Sequence, residues 1–150
     1  MTSVAVNTLV IDPIWNKLSA VASAPVGGAG LAEEVSVSEA YLVDPQDHGW
    51  DGEPRCSIAA IDLGIKAMTP VRFAERGVRV HVLPATSTLE DVKSVNPDGF
   101  FMSNGPGDPV TADAQVKLLR SVLDEKLPYF GICFGNQILG RALGFGTYKL

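Results

Sequence analysis

The stretch Phe130-Gly131-Ile132-Cys133-Phe134-Gly135-Asn136-Gln137 places a cysteine between two glycines, each two residues away, with an apolar run before it and helix-compatible residues after. This is the layout of a nucleophile elbow, in which a strand delivers a reactive side chain to a tight turn that opens directly into a helix. Glycines suit both flanks because a Cβ there would collide with the folded-back chain. The unbonded N–H groups and positive dipole end of such a helix favour thiolate over thiol. Thiolate is the form that attacks a carbonyl carbon. A buried structural cysteine satisfies the same spacing, so the elbow needs support from elsewhere in the chain.

A second stretch, Ser103-Asn104-Gly105-Pro106-Gly107-Asp108-Pro109, offers that support. Pro-Gly and Asp-Pro are ordinary turn formers, and they also make a rigid loop whose bare backbone amides can point into a site. Acyl transfer needs such donors, because its tetrahedral intermediate puts negative charge on the former carbonyl oxygen. One lost donor costs about 2.7–4 kcal/mol of transition-state stabilisation. Gly107 N–H and Phe134 N–H are the expected pair. The other chemistry-bearing residues read as structural. Cys56 precedes an apolar run and suits packing, while His48 and His81 fall in a loop-like stretch and on a sheet face. Lys66 stands within pairing range of Asp62. Trp15 and Trp50 accompany no base-stacking series, and Asp124-Glu125-Lys126 reads as a solvated helix end.

The elements that must position these residues begin at Ser57. Residues 57–61 form a short apolar run, read as a buried strand. Thr69 is expected to cap a helix with Pro70 at its first position, an apolar stripe at Val71, Phe73 and Ala74, and Gly77 closing it. Val78, Val80 and Val82 alternate as in a strand. Ser87 with Glu90 makes a capping box for a short helix to about Val95. Residues 99–102 are a third strand. Residues 111–126 carry the helical period at Ala114, Leu118, Leu119 and Val122, residues 128–132 are a fourth strand, and residues 136–143 a helix stopped by Gly144. Strand and helix alternating at this spacing predict an α/β fold: an open, mostly parallel sheet with helices on both faces. In such sheets the ligand site lies beyond the carboxyl ends of the strands, where both motifs fall. Residues 1–56 read as an irregular N-terminal and linker segment, with a short helix opening at Asp12 and Pro13, a break over residues 24–30, and loop over residues 44–55.

Length and composition narrow the function classes. The chain has 150 residues, enough for one sizeable core, and 46% hydrophobic residues, as in a globular protein. A net charge of −5 argues against a non-specific nucleic-acid binder and against docking on an anionic membrane. Two cysteines give no disulfide framework and suit a reducing cytosol, so a cytoplasmic location is expected. Two cysteines and two distant histidines give no metal site. Ala22-Ser23-Ala24 mimics a signal-peptidase site, but no basic region precedes it and Asp12, Pro13 and Lys17 interrupt the apolar part, which rules against export. No apolar run approaches the roughly 20 residues that span a bilayer.

Residues 103–109, Gly131 to Gln137, and Ile61-Asp62-Leu63-Gly64-Ile65-Lys66 together resemble the class I glutamine amidotransferases, whose core is flavodoxin-like. Within that family the Asp62-to-Lys66 run and the Asn104-to-Pro109 wording are most similar to the small-subunit branch that serves carbamoyl phosphate synthesis. The resemblance runs from Ser57 to the end, including Gly140-Arg141-Ala142-Leu143-Gly144, and is weak over residues 31–41. It implies that residues 57–150 are the N-terminal part of such a domain.

The resemblance further implies that Cys133 attacks the side-chain amide of L-glutamine, forms a γ-glutamyl thioester and releases ammonia. Gly105 and Gly107 match the family's glutamine-contacting loop, and Phe134 and Gln137 its contacts on the elbow. Asn136 stands where His is common and takes no catalytic role. No cofactor belongs to this chain. The partner implied is a large ATP-dependent synthetase subunit that uses Mg-ATP and bicarbonate to make carbamoyl phosphate for arginine and pyrimidine synthesis. The family's catalytic His and its orienting Glu come well after the elbow, whereas this sequence ends at Leu150. The expectation is therefore a C-terminally truncated piece, poorly active alone, with an open sheet edge and exposed apolar surface. Rival expectations are an amidotransferase serving chorismate or GMP synthesis, and a non-catalytic interaction module in which the elbow survives as packing.

Overall fold

A computed structural model describes residues 30–147 of the chain; the helix expected at Asp12, the break over residues 24–29 and Trp15 lie outside them. Five strands form one sheet: β1 (Tyr41–Val43), β2 (Cys56–Ile61), β3 (Val78–Leu83), β4 (Gly99–Met102) and β5 (Tyr129–Gly131). Their order is β1-β3-β2-β4-β5. β2 runs parallel to β3 and β4, and β4 to β5, while β1 joins β3 antiparallel at the far edge. Among the described residues five helices accompany them: α1 (Leu31–Val35), α2 (Met68–Ala74), α3 (Leu89–Ser94), α4 (Asp113–Asp124) and α5 (Phe134–Ala142). The chain thus has the expected α/β architecture.

Strand side chains alternate between two cores, as the two-residue period requires. Ala59, Ile61, Phe100 and Met102 face one side, where Val92 of α3, Val116, Leu119 and Val122 of α4, and Phe134 and Ile138 of α5 cover them. Ala60, Val80, Val82 and Phe101 face the other side, under Phe73 and Ala74 of α2. Ala59 is in register with Phe100, and Ala60 with Phe101, so each ring lies over a small neighbour and the layers interdigitate. Phe101 also meets Phe73 edge-on at 5.3 Å and stacks on Phe130 at 5.9 Å. Fully burying one such ring stabilises the fold by about 1.5–3 kcal/mol. No helix among the described residues is long and apolar enough to cross a membrane.

Residues 31–48 are more regular than the irregular segment expected over residues 1–56. They hold α1, β1 and a 3-10 turn (Pro45–His48). Arg79 clamps Asp44 through two nitrogens at 2.8 and 2.9 Å, fixing the chain just beyond β1. Asp62 is 3% exposed and accepts the N–H groups of Val37, Gly64 and Ile65 at 3.0, 2.8 and 2.7 Å. Its carboxylate therefore closes the turn after β2 and does not form the expected pair with Lys66, which is exposed.

Three further expectations shift. The second helix opens at Met68 with Ala67 before it, so Thr69 lies inside and makes no cap. Pro70 is then the third helical residue, still within the turn whose N–H groups lack partners. The capping box falls one residue later than Ser87 and Glu90: Thr88 Oγ1 accepts from Asp91 N–H, and the Asp91 carboxylate accepts from Thr88 N–H at 2.7 Å. Ser87 cannot serve because its own N–H already donates to Pro84 O. Ala114 of α4 is exposed, and Gln115 is buried instead, with its amide donating to Ala85 O at 3.3 Å.

Candidate active site

The carboxyl ends of β2, β3, β4 and β5 are knitted together by their own backbone. Asp62 N–H donates to Leu83 O, Ser103 N–H to Ile61 O, and Ile132 N–H to Met102 O. Ser103 is fully buried; its hydroxyl accepts from Leu63 N–H at 2.9 Å and donates to Asn104 O at 2.7 Å. Asn104 Nδ2 then donates to Gly64 O at 2.9 Å. The loop of residues 103–109 is thereby fastened to the turn after β2. Gly105 lies at that seam, where a Cβ would run into Leu63 O.

At the next strand end Cys133 is exposed and joins β5 to α5 in one step. Its backbone is at φ 52° and ψ −105°, a conformation L-residues seldom adopt. Such a position costs on the order of 1–3 kcal/mol and persists only where the surroundings impose it. The two flanking glycines make it possible. A Cβ at Gly131 would stand 2.5 Å from the Tyr129 hydroxyl and 2.8 Å from Gly135 C, and one at Gly135 would strike Met102 O. The helix starts at Phe134, directly after the cysteine and two residues earlier than expected.

Tyr129 supports the turn from below. Its ring packs beside Phe100 at 6.1 Å, and its hydroxyl donates to Gly135 O at 2.7 Å. Burial pushes the phenol's pKa up, so the proton of that bond stays in place at any physiological pH. Gly135 N–H donates to Ser103 O at 3.2 Å, tying the first turn of α5 to β4.

Cys133, Phe134 and Gln137 share that first turn, where Gln137 N–H donates to Cys133 O at 3.0 Å. Gln137 is exposed one turn beyond the thiol. The Phe134 ring is 3% exposed and points under the loop, so that a Cβ on Gly107 would lie 3.9 Å from its tip. Gly107 itself is at φ 117°. The amides of Gly107 and Phe134 have no hydrogen-bond acceptor among the described residues. The hollow between Leu31, Pro106, Gly107, Thr111, Gln115 and Phe134 measures about 30 Å³, room for one water. A larger concavity of about 570 Å³, lined by Cys56, Ser57, Arg79, His81 and Asp98 among others, lies at the opposite, amino ends of the strands.

The two histidines stay away from the thiol. His81 is on β3, three strand spacings or roughly 14 Å from β5, and burial followed by Arg79 lowers its pKa. His48 ends the 3-10 turn, which packs on α2. No group of three or more His, Cys, Asp or Glu among the described residues could hold a metal ion. Sequence reasoning passed over Ser103, Tyr129 and Asp62 as supports. A polar residue directly after an apolar strand is the signal for Ser103 and Asp62; Tyr129 gave none.

Comparison with known proteins agrees with this architecture. Residues 59–150 match the family model described as glutamine amidotransferase class-I. A carbamoyl phosphate synthase small chain of Streptomyces avermitilis is 63% identical over 134 residues, which is 89% of this chain and 34% of the relative. Proteins of the same name from Bifidobacterium longum and Mycobacterium tuberculosis are 58% and 59% identical over 123 residues, covering 82% of this chain and 30% and 32% of theirs. The chain spans about a third of the length of these curated relatives. With the matched model covering more than half of it, the chain belongs to the class I glutamine amidotransferase family.

Proposed function

We propose that this chain is part of a glutamine-hydrolysing subunit that supplies ammonia for carbamoyl phosphate synthesis, with Cys133 as the nucleophile. The observation that carries the reading is the exposed Cys133 on a strained strand-to-helix turn, beside a loop hydrogen-bonded to that same helix. The names of the relatives support the choice of pathway. In this mechanism the Cys133 sulfur attacks the side-chain carbonyl carbon of glutamine, and the carbonyl electron pair moves to oxygen. Gly107 N–H and Phe134 N–H stabilise that oxyanion. The proton given up by the thiol passes to the amide nitrogen, and collapse of the intermediate restores the carbonyl and breaks the C–N bond, releasing ammonia. Water then cleaves the thioester to glutamate and free thiol. Gly105 keeps the loop in place, and Gln137, exposed one turn beyond the thiol, is the further substrate contact on the elbow. The partner is a large synthetase subunit that binds Mg-ATP and bicarbonate, and a cytoplasmic location suits that role.

The chain by itself is expected to hydrolyse glutamine very slowly, since neither described histidine stands near Cys133. Mapping by mass the adduct of a glutamine-like electrophile tests the nucleophile. Labelling at Cys133 well ahead of the half-buried Cys56, and its loss in Cys133→Ala, is the expected result. Equal slow labelling of both cysteines would refute it, and co-purification with a chorismate-using enzyme would refute the pathway.

A further inference from the structure

Helix α5 is bonded to both ends of the loop of residues 103–109. At its first turn Gly135 N–H donates to Ser103 O at 3.2 Å. Near its last turn Arg141 Nη1 donates to Pro109 O at 2.6 Å, and Nη2 to Asp113 Oδ1 at 2.8 Å. The Arg141 side chain is 23% exposed against 84% for Asp113, so the carbonyl contact is the better shielded of the two. From α4, Arg120 holds the same end of α5, its Nε donating to Ala142 O at 3.0 Å and its Nη2 to Arg141 O at 3.3 Å. The loop with Gly105 and Gly107 is therefore suspended between two points of the helix that carries Cys133. One point is backbone and cannot be changed by substitution. The other is a single guanidinium whose fork meets a carbonyl and a carboxylate together, a geometry that an ammonium reproduces poorly.

We propose that Arg141 is a positioning residue for the acyl-transfer site, fixing the far end of the 103–109 loop to the nucleophile's helix and so setting where Gly107 stands relative to Cys133. The inference rests on Cys133 being the nucleophile. It goes beyond the elbow and loop motifs, because Arg141 lies two turns along the helix from the thiol and its side chain bonds to Pro109 and Asp113.

The 150-residue chain is treated in parallel with iodoacetamide, which needs only an accessible thiolate, and with 6-diazo-5-oxo-L-norleucine, which must also be held as glutamine is. Modification is followed at Cys133 by peptide mass mapping, with Cys56 as internal standard. Arg141→Gln is expected to raise the half-saturating concentration of the diazoketone about tenfold, the usual scale for a charge-assisted hydrogen bond. The iodoacetamide rate at Cys133 changes less than about twofold. Amide exchange at Ala112, whose N–H shares Pro109 O, becomes faster. Arg141→Lys, which also serves should Arg141→Gln fail to fold, recovers only part of the loss. Asp113→Asn stays within about twofold of wild type, since an exposed ion pair contributes little. Unchanged half-saturation in both Arg141 variants, or an equal loss with both reagents, overturns the proposal. Failure of the underlying reading looks different: the wild-type chain itself would show no saturable labelling at Cys133, and the positioning role would fall with it.

Discussion

A methyl group at Gly135 would meet the Met102 carbonyl, which belongs to a strand paired on both sides and has little room to give way. At Gly140, on the same helix, a Cβ meets nothing within 4 Å. The two positions separate tight packing from helix propensity within one element. Gly135→Ala is expected to destabilise the chain by about 1–3 kcal/mol, the cost of overpacking, and to slow labelling of Cys133. Gly140→Ala should raise stability by about 0.5–1 kcal/mol. Urea midpoints read both, and a neutral Gly135→Ala would mean that the elbow is looser than its geometry states. The elbow was legible in the sequence because its requirement is local: small residues at fixed spacing around one side chain. The supports from Tyr129 and Arg141 were not legible. They reach across 6 positions of chain for Tyr129 and 32 for Arg141, which no local pattern reports.

At the scale of elements, the strands and the longer helices were readable because their apolar periods are set by burial on one or both faces. The helix start at Thr88 was not. Ser87 and Thr88 each have an acidic residue three positions on, and the choice is settled by a turn that consumes the Ser87 N–H. β1 escaped for another reason: three residues carry no period, and the strand exists only because β3 offers an edge. The Thr88 cap carries a pH signature. Hydrogen bonds from Thr88, backbone first and then side chain, lower the Asp91 pKa from its ordinary 3.8. A carboxyl with a depressed folded pKa stabilises fully above the ordinary value, and that contribution disappears as pH falls through the lowered one. Thr88→Ala is therefore expected to lower stability at pH 7 by about 1 kcal/mol, and the share of that loss carried by the Thr88 hydroxyl on the Asp91 carboxylate should shrink as the pH falls below 3.8. Thermal melts across pH 2–7 check it, and a constant difference would count against the cap. His81 acts in the same direction at higher pH: its lowered pKa means that the unfolded chain takes up a proton first below 6.5, which erodes stability.

For the whole molecule, helix cover is lopsided. Among the described residues α1, α3, α4 and α5 contribute to the core on one face of the sheet and α2 alone to the other, and β5 is the last strand on its side of the sheet, with Phe130 58% and Ile132 38% exposed beside it. Leu143 and Phe145 add 60% and 69% exposed side chains near the end of α5. An unpaired edge next to exposed apolar side chains templates association, so the chain is expected to self-associate with rising concentration. Phe130→Lys should weaken this by sedimentation velocity while keeping the fold, since a lysine stem can still lie over Phe101. Association unchanged by that substitution would move the sticky surface elsewhere. The opposite pole of the molecule has its own mark. Trp50 lies against Gly77, so closely that a Cβ there would stand 2.6 Å from the indole. The Arg55 guanidinium covers the ring at 4.5 Å and the indole N–H donates to Glu53 O at 3.2 Å. The fluorophore is thus built into the join between the segment after β1 and the start of β3. With Trp15 replaced by Phe, its emission becomes an optical gauge of whether that segment is seated, blind to chemistry at Cys133 and readable while the thiol is being labelled.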